Sequence, residues 1–159
     1  QTTKAAKAPL ASPIIGTYTD QPDSIEIPAI GLVSSVVVGT STDNATLTKD
    51  LDRGVVYYPA STIPGQSGQT IMLGHSAPPN WPRIKHDWVF SQLGDLKPGD
   101  IIYVNFEGKQ YTYKMTNKKI IRAGAEIGYP VWGSTLILIS CWPPGKLYQR
   151  IAVEAELIN

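Results

Sequence analysis

Apolar residues in this chain come in short runs that Gly and Pro keep interrupting, and the runs differ in period. Ile25 and Ile27 alternate with Ser24 and Glu26 until Pro28 stops the run, which suits a short edge strand. Residues 33–38 are a second strand, closed by Gly39. Leu47 and Leu51 stand one helical turn apart, behind Asp43 or Asn44 and before Gly54, and so predict a short capped helix. Residues 70–73 are a short apolar strand running into Gly74-His75. A Pro- and Trp-rich loop covers residues 76–85. A helical turn is predicted over residues 88–93, with Asp87 as cap and Gly94 as stop.

The second half reads more strongly as sheet. Residues 96–100, Leu-Lys-Pro-Gly-Asp, are a turn, and residues 101–106 and 110–115 flank Glu107-Gly108-Lys109 as a hairpin. Residues 136–139 are continuously apolar between Thr135 and Ser140, which predicts a central strand buried on both faces. Ile151, Val153, Ala155 and Leu157 alternate with Arg150, Ala152, Glu154 and Glu156, which predicts a half-exposed last strand. The fold class is therefore mainly β: a closed or nearly closed barrel with short helices and long connecting loops.

Composition changes this picture little. A chain of 159 residues makes one ordinary domain, and its 14 glycines and 13 prolines fit many short strands and tight turns. Residues 1–23, rich in Thr, Ala, Pro and Lys, read as a stalk or linker, and the domain as residues 24–159. Gln1 is read as the cut edge of a longer chain, with an anchor segment expected before it. A formal net charge of +1 calls for neither nucleic acid nor an anionic membrane as partner. No apolar run approaches the roughly 18 residues of a membrane helix.

Three residues draw attention to chemistry. Cys141 is the only cysteine, so no disulfide forms within the chain. It ends the apolar strand and is followed by Trp142-Pro143, which places it at the rim of the sheet. It is either a buried apolar filler or a nucleophile. His75 follows a glycine that lets the backbone turn sharply, at a strand end beside a long loop; alone, it reads as a surface histidine. His86, between Lys85 and Asp87, reads as solvated. Arg150 enters the last strand, where pairing with Glu154 or Glu156 is the plain alternative to a functional role. One Cys and two His supply at most three soft ligands at spacings that match no common zinc pattern, so no metal or other cofactor is expected.

The order of these features resembles the sortase family. Residues 25–32, Ile-Glu-Ile-Pro-Ala-Ile-Gly-Leu, look like the family's first strand. Residues 51–59 and 64–69 look like its approach to the catalytic histidine, and Leu73-Gly74-His75 like the histidine motif. Residues 96–100 look like its turn into the next strand. Residues 135–141 resemble the apolar strand ending in Thr-Cys, with Ser140 in place of the usual threonine, and residues 150–153 resemble the strand that carries the family arginine. The resemblance runs from Ser24 to Asn159. The 76–90 segment is longer than the corresponding loop of many members and the 143–149 loop is short, and the Cys-Trp-Pro-Pro-Gly run looks closer to class D-like or unclassified members.

The resemblance implies a closed eight-stranded barrel and a cysteine transpeptidase. It implies Cys141 as nucleophile, His75 as acid/base partner and Arg150 as oxyanion donor or substrate clamp. It places Ser140 and Trp142 at the substrate groove, with Ile127, Tyr129 and Val131 as pocket walls. The remaining tryptophans, Trp81, Trp88 and Trp132, are expected to bury area. The implied substrates are surface proteins or pilins bearing a Leu-Pro-x-Thr-Gly-like signal. The implied acceptor is an amine, from a cell-wall precursor or a lysine, and the implied location is the extracytoplasmic face of a bacterial membrane. No acidic cluster maps onto the calcium site of some members. A barrel that only binds peptide, with Cys141 inert, and a hydrolytic peptidase using the same pair are the alternatives.

Overall fold

The computed structural model describes residues 15–125 and 133–159. In chain order the elements are β1 (Thr17–Tyr18), β2 (Ser24–Ile27), β3 (Leu32–Val38), α1 (Asn44–Leu51), β4 (Val55–Tyr57), β5 (Gly68–Leu73), β6 (Ile101–Phe106), β7 (Lys109–Arg122), β8 (Ser134–Trp142) and β9 (Gln149–Leu157). The strands lie in the order β7-β6-β2-β3-β4-β5-β8-β9, and β7 pairs again with β9, so eight strands close into a barrel. β1 adds to the outside of β7, pairing Thr17 with Gln110, within the segment read as a linker. The β3–β4 and β5–β8 pairs are parallel and the others antiparallel, which makes the barrel mixed. Among the described residues α1 is the one α-helix.

Strand alternation fills the interior. Ile25, Ile27, Ile102, Val104, Tyr113, Met115, Leu136, Leu138, Ile151, Val153 and Ala155 form one buried cluster. Each fully buried large side chain of this kind contributes on the order of 1.5–3 kcal/mol. The α1 helix starts where expected: the Asp43 side chain accepts from the Thr46 amide at 2.9 Å. Hydrogen bonds from Ser41 and Thr46 hold that carboxyl down at about 2.

Several expectations need correction. β4 is only three residues long, too short to show a period, and it lies between β3 and β5. β7 runs on to Arg122, well past the predicted hairpin, through Thr116, Asn117, Lys118 and Lys119. This polar stretch holds its place by pairing with β9 across an irregularity at Met115/Asn117. Residues 85–92 form turns leading into a 3-10 turn at Leu93–Asp95, so Gly94 lies inside that turn and does not end a helix. β9 is buried on both faces through its middle, with Ala152 at 0% and Glu154 at 8% exposure. Glu154 tolerates that burial because Lys119 of the neighbouring strand lies 2.9 Å from its carboxylate.

Candidate active site

The strand register brings the three candidate residues to one place. In the antiparallel β8–β9 pair, Cys141 lies directly opposite Arg150. In the parallel β5–β8 pair, Leu73 lies beside Ile139, and the Gly74 amide donates to the Ile139 carbonyl at 3.1 Å. His75 and Cys141 each stand two residues beyond that last pair, so the same register sets them side by side. Alternation also decides the face. Met72, Leu136, Leu138, Trp142, Ile151 and Val153 belong to the interior cluster, and His75, Cys141 and Arg150 occupy the opposite parity. Cys141 and Arg150 therefore face outward from the ends of β8 and β9, and His75 follows two residues after the end of β5.

Short polar links lock these ends together. The buried Ser140 hydroxyl donates to the Gly74 carbonyl at 2.7 Å. The Ser76 hydroxyl donates to the Cys141 carbonyl at 2.9 Å and accepts from the Gly145 amide at 3.2 Å. The Phe90 amide donates to the His75 carbonyl at 2.9 Å. Sequence reasoning assigned Gly74 a sharp turn, but its φ is not among the positive values. Close approach is the reason: a Cβ on Gly74 would run into the Phe90 ring.

Ser140, expected at the substrate groove, is 3% exposed and its hydroxyl is committed to Gly74. It ties the histidine-bearing strand to the cysteine-bearing strand. Ser140→Ala should therefore lower stability by about 1–3 kcal/mol, since it leaves a buried carbonyl short of a partner. Ser140→Thr keeps the hydroxyl and should retain most of that stability. Paired melting curves of the two variants check this.

The candidate side chains themselves are accessible. The Cys141 thiol is free and half-buried. The His75 side chain is 30% exposed, and its Nε2 lies 3.5 Å from Asp52 Oδ1. Arg150 pairs with neither Glu154 nor Glu156. Its Nη1 donates to the carbonyls of Leu147, in the loop between β8 and β9, and of Gln149, at the start of β9, each at 2.9 Å. His86, expected to be solvated, is half-buried, and its Nδ1 lies 2.9 Å from the Asp52 carbonyl oxygen. Asp52 thus meets both histidines, and sequence reasoning gave it no role. A signal was there: an acidic residue just past a helix sits unfavourably against the negative end of the helix dipole.

Other predicted positions fare differently. The Trp142 ring packs on the interior cluster and over Gly94, where a Cβ would come within 2.6 Å of it, so Trp142 faces away from Cys141. Ile127, Tyr129, Val131 and Trp132 lie outside the described residues. Trp81 is 53% exposed, against the expectation of burial. The Arg83 guanidinium stacks 4.5 Å from the Trp88 ring centroid. These three side chains and Pro78, Pro79 and Pro144 line much of a cleft of about 290 Å³. Among the described residues no group of His, Cys, Asp and Glu is arranged to hold a metal ion.

Comparison with known proteins bears on the family and the fold. The sortase-domain family profile matches residues 25–158. Sortase D of Bacillus subtilis is 30% identical over 121 residues, covering 75% of this chain and 53% of that protein. The chain thus spans about half the length of the curated relative it matches. Sortase A from Corynebacterium diphtheriae, as a lid mutant, superposes with a TM-score of 0.69 at 24% identity, over 87% of this chain and 70% of that one. Sortase C-1 from Streptococcus pneumoniae superposes with a TM-score of 0.70 at 22% identity, over 86% and 66%. These two structures share the fold. On the family profile, which spans nearly the whole described barrel, the chain belongs to the sortase family.

Proposed function

We propose that this chain is a class D-like sortase whose residues 24–159 are the catalytic domain. In this reading it cleaves a Leu-Pro-x-Thr-Gly-like signal and transfers the acyl portion to an amine. The observation that carries the reading is the register: Cys141 opposite Arg150, with His75 at the adjoining end of a parallel neighbour. The Cys141 thiolate attacks the threonyl carbonyl carbon. Arg150 donates to the oxygen as it gains charge. The carbon–nitrogen bond breaks, the His75 imidazolium gives its proton to the leaving amine, and a thioester remains. An incoming amine loses a proton to His75 and attacks the thioester, and the carbon–sulfur bond breaks to return the thiolate.

The substrates in this reading are signal-bearing surface proteins or pilins. The acceptor is a cell-wall precursor amine or a lysine, at the extracytoplasmic face of a bacterial membrane. No helix among the described residues is long and apolar enough to cross a membrane. Product analysis with a signal peptide tests the reading. With an added amine, the ligated product should dominate, and without it a slower hydrolysis product should form. Hydrolysis at the same rate with and without amine points to a peptidase, and intact peptide in both points to a binding barrel.

A further inference from the structure

We propose that Asp52 is the positioning residue for His75, an inference that rests on the transpeptidase reading of the same site. Three observations converge on it. The Asp52 carboxylate lies 3.5 Å from His75 Nε2, and no other acidic side chain makes an ion pair with His75 among the described residues. Asp52 is the C-terminal cap of α1, where the helix carbonyls make a carboxylate unfavourable unless a cation compensates. The neighbouring cation, Arg53, does not supply that compensation: it pairs with Asp50 at 3.8 Å and its side chain is 70% exposed. The His75 ring, when it carries a proton, can.

The position of Asp52 is itself braced. His86 Nδ1 lies 2.9 Å from its carbonyl oxygen, and His86 adopts a left-handed φ of 55° to reach it. A non-glycine residue in that region carries a conformational cost, so the contact is held by its surroundings. The loop after β5 therefore returns to α1 and fixes the backbone from which Asp52 reaches His75.

The chemical consequence follows from the two ring nitrogens. A carboxylate on Nε2 selects which nitrogen carries the proton on that side and leaves Nδ1 for the thiol and the amines. It stabilises the imidazolium that must donate to the leaving amine and limits ring rotation between the two half-reactions. Asp52 touches neither substrate nor thiol, so its effect should appear in turnover and not in peptide binding.

Asp52→Asn, Asp52→Glu, His75→Ala and the His75→Ala/Asp52→Asn double variant, assayed with a fluorogenic signal peptide and an added amine, test this. Asp52→Asn should lower kcat about tenfold, less than the roughly 10²–10⁴-fold of a full acid–base contribution because His75 itself remains, with KM changed less than about twofold. Asp52→Glu should recover most of kcat, because it restores a carboxylate. In the His75→Ala background, Asp52→Asn should add no further loss. Wild-type kcat in Asp52→Asn, or a full additional loss without His75, overturns the proposal. If Asp52→Asn does not fold, Asp52→Ser is read by the same criteria. Absence of turnover in the wild-type protein itself refutes the transpeptidase reading and is thereby distinguishable from failure of the Asp52 assignment.

Discussion

Cys141→Ala should abolish peptide cleavage and acyl transfer, a loss on the order of 10⁴-fold or more, while leaving the barrel folded. The chain has no second cysteine to take over attack. The fold should survive because the contacts at this position belong to the main chain. Ladder pairing with Arg150 and the Ser76 hydroxyl bond to the Cys141 carbonyl both remain after the side chain is cut back. The side chain is half-buried on the outer face of the strand, away from the interior cluster, so its loss leaves no cavity in that cluster. A melting temperature within a few degrees of wild type, beside undetectable product, is the expected pair of results. Retained transfer in a folded Cys141→Ala protein refutes a thioester route.

Arg150→Lys should lower kcat/KM by something on the order of 10²-fold, as loss of a positioned oxyanion donor does. The carboxylates that offered a plainer explanation are engaged elsewhere or unpaired with it: Glu154 lies 2.9 Å from Lys119. Arg150 Nη1 instead donates to the Leu147 and Gln149 carbonyls, which fixes the guanidinium plane at the mouth of the β8–β9 loop. Lysine keeps the charge and loses the planar fork, so it cannot hold the loop carbonyls and present a further donor with the same geometry. Stability should change by about 1 kcal/mol or less, since the lost bonds are partly exposed. The check is kcat/KM with a fluorogenic signal peptide beside a melting curve. Wild-type turnover in a folded Arg150→Lys protein leaves Arg150 a loop brace only.

The sequence made the barrel and its candidate site legible where the signal was local. The apolar run at 136–139 and the alternation through 150–157 are strand signals in themselves, and Cys141 and Arg150 follow from where those strands end and begin. β4 was not legible, because three residues carry no period, and neither was the polar half of β7, whose pairing with β9 is a long-range fact. Ser140 and Trp142 were misplaced by adjacency. Neighbours in a strand point to opposite faces, so the residues flanking an outward Cys141 turn toward the interior. Gly74 was rightly singled out for the wrong reason, since the Phe90 ring that forbids its Cβ is visible only after folding. Asp52 lies far from His75 in sequence, and only the return of the 76–90 loop shows the two together.

The most direct test of the central claim is intact-protein mass spectrometry after incubation with a Leu-Pro-x-Thr-Gly-type peptide and no amine, followed by fragmentation. A mass increase equal to the peptide cut after threonine, localised to Cys141 and released by added amine, is the predicted result. Cleavage of the peptide with no adduct on Cys141 under any quench condition, or an adduct that amine does not release, contradicts the account.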